Sequence, residues 1–146
     1  MLKDLAYLLQ ETVTRMEHRV NTRLRSELGV SFNLFQFLAI VADEEPTDVT
    51  DLASCLYISK AAVSKRLPAL TEEGWLTVSA EPGHGRRLRI QLTDKGRTLV
   101  ADGDAIIERA LTEAFGDSVS SDDVARMHAL MTTVNARLIA TEEPWL

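Results

Sequence analysis

Between Asp51 and Thr93 the chain changes its hydrophobic period in a fixed order. The stretch reads DLASCLYISKAAVSKRLPALTEEGWLTVSAEPGHGRRLRIQLT. The spacing predicts a short helix over Asp51 to Leu56 and a tight turn around Tyr57-Ile58. A second helix follows, capped by Ser59 and closed by Gly74. WLTVSA and RLRIQL then read as strands. In the second, Leu88, Ile90 and Leu92 alternate with Arg87, Arg89 and Gln91, and Glu81-Pro82-Gly83-His84-Gly85 supplies the turn between the two. Two crossed helices followed by a hairpin is the order of a winged helix-turn-helix. Such a unit presents its second helix to the major groove of DNA and extends its hairpin toward the adjacent minor groove.

The flanks are helical. Leu2, Leu5, Leu9, Val13, Met16, Val20, Leu24 and Leu28 recur every three or four residues, which predicts one long amphipathic helix closed by Gly29. Asn33, with Gln36 three residues on, predicts a capping box for a second helix from Leu34 to about Asp43. That helix is apolar nearly all round, so it should be central. Asp48 is a candidate cap for the first helix of the helix-turn-helix. Thr93 should cap a helix to Phe115 with Leu99, Ile106, Ala110 and Ala114 in its stripe, weakened locally by Gly103. Gly116 ends it. Ser120 or Ser121 opens a last helix, with Val124, Met127, Leu130, Met131, Val134, Leu138 and Ile139 expected inward.

The predicted fold class is mainly α with a small β wing. The 146 residues form one domain, with a winged helix-turn-helix lobe over 34–97 and a connecting helix over 94–115. Segments 1–30 and 117–146 would serve as dimerisation helices. A lobe of this size cannot cover both terminal stripes, and an intertwined two-fold dimer is the simplest way to bury them. A dimer would also set two reading helices about one helical turn of DNA apart.

The net charge of −6 is unevenly distributed. From Ser59 to Arg97, eight basic residues stand against four acidic ones, a local +4 that leaves −10 for the rest. A basic patch inside an acidic chain is a footprint for phosphate. With Val63 pointing to the core, Leu67 and Leu70 share its face, and Lys60, Ala61, Ser64, Lys65 and Pro68 lie opposite. Ala61 suits a thymine methyl, Ser64 a phosphate or base edge, and Lys60 and Lys65 phosphate or guanine. Solvated surface is the competing reading for each of them alone. Pro68 should bend the helix. Arg86, on a narrow turn, suits a minor groove.

Together these features resemble the MarR family of regulators, and the resemblance covers nearly the whole chain. It is carried by Gln36-Phe37, by L-A-x-x-L-x-I-S-x-x-x-V-S-x-x-L-x-x-L-x-x-x-G-W-L from Leu52 to Leu76, by the wing, and by Leu92-Thr93 followed by Gly96. The resemblance implies a homodimeric transcriptional regulator, usually a repressor, on a palindromic operator, often released by a small ligand or oxidant. The DNA-contacting set is then Ser59, Lys60, Ala61, Ser64, Lys65, Arg86 and Arg87. One departure is notable. Family wings read D-P-x-D-R-R, with the second aspartate bracing the wing; here His84 and Gly85 stand at the aspartate and first-arginine positions. The family's brace is missing there, and Arg87 and Arg89 supply charge instead. In similar proteins an effector cavity adjoins the dimer helices. Arg15, His18 and Arg19 would suit a phenolic or carboxylate effector there, against the competing reading of plain surface charge.

Other chemistries are poorly supported. A single cysteine, Cys55, excludes an intrachain disulfide and fits a reducing cytoplasmic setting. Cys55 reads as packing rather than as a redox sensor. His18, His84 and His128 lack metal-ligand spacing, and no nucleophile elbow or phosphate loop points to an enzyme or a cofactor. No signal peptide, membrane span or lipidation motif is visible. The alternative to an operator-binding regulator is a winged-helix module that docks proteins. It would have no use for the local basic patch or Arg86.

Overall fold

The computed structural model describes residues 1–83 and 85–142. Its elements are α1 (Leu2–Leu28), α2 (Phe32–Glu44), α3 (Val49–Leu56), α4 (Lys60–Glu72), β1 (Leu76–Ala80), β2 (Leu88–Leu92), α5 (Asp94–Phe115), a 3₁₀ turn (Gly116–Ser118) and α6 (Ser121–Ala140). The chain divides into two compact units, Met1–Leu111 and Thr112–Leu146, and the division falls inside α5.

In the first unit, α2 lies at the centre, as its all-round apolar pattern demands. Phe37, Leu38 and Val41 are fully buried, alongside Leu24 of α1, Leu52 of α3, Val63 of α4, Leu76 of β1 and Ile90 of β2. Each such side chain stabilises the fold by about 1.5–3 kcal/mol through removal from water. α1 joins this core only through its second half, at Val20 and Leu24, with Leu28 packed at the edge. It stops at Gly29, which takes the left-handed φ of 69° and donates its N–H to the Arg25 carbonyl at 3.1 Å.

The start of α2 differs from the expectation. Ser31, not Asn33, is the cap, and its hydroxyl accepts the Leu34 N–H at 3.1 Å. The Asn21 side chain accepts the Phe32 N–H at 2.9 Å, so a group on α1 fixes the first turn two residues earlier than local sequence implied. The Gln36 capping box is therefore not formed on Asn33. α3 also begins early, at Val49. Asp48 caps it as expected, accepting from Thr50 and Asp51 at 2.8 and 2.9 Å.

The hairpin pairs Leu76 with Leu92, Val78 with Ile90 and Ala80 with Leu88, antiparallel. Ile90 and Leu92 are buried, but Leu88, expected on the same face, is 38% exposed because the wing projects past the core there. Thr47 exchanges backbone hydrogen bonds with Ile90 at 2.9 and 3.3 Å, tying the hairpin to the loop before α3.

Thr93 caps α5, its Oγ1 accepting the Gly96 N–H at 3.1 Å and donating to the Gly74 carbonyl at 2.6 Å. The two glycines of α5 are contact points. A Cβ at Gly96 would lie 2.2 Å from the Trp75 carbonyl oxygen, and one at Gly103 would lie 2.4 Å from the Phe35 ring. Leu99, Ile106 and Ala110 are buried as the periodicity required, while Ala114 is exposed.

In the second unit, Ser120 and Asp123 form a capping box at the start of α6. No residue of α6 is buried on the single chain; Val124, Met127, Leu130, Met131, Val134, Leu138 and Ile139 are all exposed. An amphipathic stripe turns inward only where another apolar surface meets it.

Candidate nucleic-acid interface

α4 is oriented as its pattern dictates. Val63, Leu67 and Leu70 face the core, and Lys60, Ala61, Ser64, Lys65 and Pro68 are exposed on the opposite side. The helix continues past Pro68 to Glu72. The Ser59 hydroxyl accepts the Ala62 N–H at 3.1 Å, so Ser59 fixes where the helix begins. What precedes it is a turn in which Tyr57 adopts φ 55°.

The eight cations of the lobe fall into two groups. Four serve the fold. Arg66 lies over the buried Phe37 ring, 4.5 Å from its centroid. Lys95 Nζ donates to the Glu73 carbonyl at 2.6 Å and sits 3.9 Å from the Trp75 ring centroid. Arg97 pairs with Glu45, whose other carboxylate oxygen accepts the Leu92 N–H at 3.0 Å. Arg87 Nε donates to Asp48 Oδ2 at 2.6 Å and lies 3.4 Å from Glu81. The other four, Lys60, Lys65, Arg86 and Arg89, are exposed and have no ion pair or side-chain hydrogen bond among the described residues. Two of these project from α4 and two from the wing.

Asp48, expected only as a helix cap, has a second partner that sequence reasoning did not find. It caps α3 and holds Arg87 at the base of the wing. The carboxyl is held below its usual range chiefly by the Asp51 N–H, with Arg87 and the Thr50 N–H adding to this against the cost of burial. Arg87 is thus held from the start of α3 by Asp48 as well as from within the hairpin by Glu81. No single-sequence signal links two residues 39 positions apart. His84, at the family's brace position, lies outside the described residues. Arg86, Arg87, Leu88, Ser64, Thr50 and Asp51 line a groove of about 480 Å³ between the start of α3, α4 and the wing. Ser64 of α4 and Arg86 of the wing thus face one space.

The effector candidates do not converge. Arg15 is bonded to Glu11 at 2.6 Å on the exposed side of α1, and Arg19 Nε donates to the Ala110 carbonyl at 2.8 Å. His18 alone of the three lines the open cleft between α1 and α2, with Thr14, Glu17, Asn21, Phe32 and Gln36. Cys55 is half-buried, and burial, then Glu44 and Asp51, push its thiol up. That environment favours the unreactive thiol. No helix among the described residues is long and apolar enough to cross a membrane.

A reading helix with unpaired cations, followed by a tethered basic hairpin, defines the winged helix-turn-helix class of DNA-binding protein. Residues 28–87 match the model of the MarR family. The chain is 29% identical over 100 residues to the uncharacterised HTH-type transcriptional regulator YpoP of Bacillus subtilis, covering 68% of this chain and 70% of the relative. The fold is similar to a MarR family regulator from Rhodococcus, with a TM-score of 0.79, 19% identity and coverage of 92% and 94% of the two chains. It is also similar to a mutant MarR from E. coli in complex with operator DNA, with a TM-score of 0.76, 20% identity and coverage of 90% and 93%.

Proposed function

We propose that this protein is a cytoplasmic, homodimeric transcriptional repressor that reads a palindromic DNA operator and releases it on binding a small ligand. One observation carries the DNA-reading part. The cations of the lobe without a partner among the described residues, Lys60, Lys65, Arg86 and Arg89, lie on α4 and the wing, while the rest stabilise the lobe itself. Ala61, Ser64 and Lys65 then face base edges and phosphates, and Arg86 meets the neighbouring minor groove.

Dimerisation is supported by the exposed apolar residues of the first half of α1 and of α6, including Leu2, Leu5, Leu8, Met127, Leu130 and Leu138. A two-fold axis would pair two reading helices and so call for a palindrome. Ligand release is supported by the cleft at His18. With Glu17 in its lining, a phenolic effector suits that cleft better than a carboxylate.

The test is selection of duplexes from a random pool by the purified chain, followed by affinity measurement on a recovered duplex and on random DNA. A palindromic consensus bound much more tightly than random duplex is the expected result. Failure to enrich any duplex would sink the reading and leave a protein-docking winged helix.

A further inference from the structure

We infer that Tyr57 is a DNA-backbone contact flanking the recognition helix, its ring against a deoxyribose and its hydroxyl donating to a phosphate. The inference rests on the DNA-reading function proposed above. Tyr57 is the only non-glycine residue with a positive φ among those described, at 55°. The turn demands that conformation. The Tyr57 N–H donates to the Ser54 carbonyl at 3.2 Å and the Ile58 N–H to the Ala53 carbonyl at 3.1 Å, which closes α3 in the left-handed manner glycine favours. A side chain there is strained against its own backbone.

A fold tolerates that strain when the side chain returns something to it, and Tyr57 returns nothing. It is 77% exposed, and its hydroxyl and ring make no hydrogen bond or ring contact among the described residues. Glycine would serve the turn better, so the aromatic is retained for a contact outside the chain. Its position names that contact. Tyr57 directly precedes Ile58 and the Ser59 cap, at the end of α4 that carries the unpaired Lys60 and the exposed Ala61. A helix entering the major groove by that end brings the turn before it against the sugar-phosphate strand. A phenol matches that surface: an apolar face for the sugar and a neutral donor for the phosphate.

The test uses Tyr57→Gly and Tyr57→Phe in the full chain, on a duplex the native chain selects and on random duplex. Tyr57→Gly relaxes the backbone while removing the contact, so its melting temperature should hold or rise. Its affinity should fall by more than about tenfold on both DNAs, since the ring contact is lost together with a hydrogen bond to a charged group that is itself worth about tenfold. Tyr57→Phe loses the hydrogen bond and keeps the ring, so it should fall by about tenfold, less than Tyr57→Gly. Because the phenol is neutral, the slope of log affinity against log salt should not change in either variant. Native-like DNA affinity in Tyr57→Gly would overturn the inference while the DNA-reading function stands. A lower melting temperature in Tyr57→Gly would overturn it too, by showing that the fold uses the ring. If the native chain selects no duplex, both proposals fall together.

Discussion

Asp48 Oδ2 accepts a hydrogen bond from Arg87 Nε at 2.6 Å, while Asp48 Oδ1 accepts the Thr50 and Asp51 N–H groups that open α3. One carboxylate therefore sets the start of α3 and the base of the wing. Its two duties are separable. Asp48→Asn keeps an N-cap acceptor and loses the charge that holds Arg87; Asp48→Ala loses both. Asp48→Ala should cost about 1 kcal/mol of stability from the cap alone, and Asn much less of that share. Both variants, and Arg87→Ala, should lose DNA affinity because the wing is no longer held. Native affinity in Asp48→Asn would show that the wing needs no brace from α3.

The same carboxylate carries a pH signature. Its folded-state pKa lies below the ordinary value, chiefly through the Asp51 N–H and then the partners named above. A depressed carboxylate contributes stability that is present above the unfolded value of about 4 and is lost as pH falls through the folded value. The stability gap between the native chain and Asp48→Ala should thus be full at pH 7 and narrow below about pH 4. Chemical denaturation across that range measures it. A gap that stays constant would mean the ionised carboxylate is not the source of the stabilisation.

Much of this lobe was legible in the sequence, and the failures have physical reasons. Val63, Leu67 and Leu70 fixed the buried face of α4, and Ser59, Asp48 and Thr93 were recognisable caps because capping is a local matter. The cap of α2 was misplaced because Asn21, on another helix, pins Phe32. The Asp48–Arg87 pair was invisible because it joins residues far apart in the chain. Gly103 was recognisable as a local cost to its helix, but the neighbour that requires it was not.

That neighbour is the Phe35 ring, 2.4 Å from where a Cβ on Gly103 would sit. Helix propensity alone says that Gly103→Ala should stabilise α5 by about 1 kcal/mol. Packing says the reverse, because Phe35 is 4% exposed and its ring has little room to retreat. Overpacking of this kind costs about 1–3 kcal/mol, so a net loss is expected. Thermal or denaturant unfolding decides the sign. A stabilised Gly103→Ala would mean the ring yields without cost.

Self-association should depend on α6. Val134 and Leu138 are 46% and 62% exposed on the single chain and belong to one apolar stripe. Aspartate at either position should leave the first unit folded, since neither belongs to its buried core. It should convert a dimer to monomer in sedimentation, or yield insoluble protein. A native chain that is a soluble monomer at micromolar concentration would remove the dimer, and with it the reason for a palindrome.

The division of cations predicts two kinds of arginine in one hairpin. Arg86 is exposed and unpaired among the described residues, whereas Arg87 is held by Asp48 and Glu81. Arg86→Ala should leave the melting temperature unchanged and weaken binding by about 1–3 kcal/mol, most on duplexes whose A·T steps lie beneath the wing. Arg87→Ala should weaken binding with the same dependence on those steps, because it acts by placing Arg86, but unlike Arg86→Ala it should lower the melting temperature, since it removes the pair with Asp48. Lys65→Ala, on α4, should weaken all sequences alike and lower the salt slope by about one unit if it meets a phosphate. Ser64→Ala and Ala61→Val should instead penalise the selected duplex more than random DNA. Measuring all five variants on A·T-rich, G·C-rich and random duplexes at several salt concentrations separates these roles. If Arg87→Ala weakens binding without the A·T dependence of Arg86→Ala, Arg87 does not act by placing Arg86, and the sorting of paired from unpaired cations has no bearing on recognition.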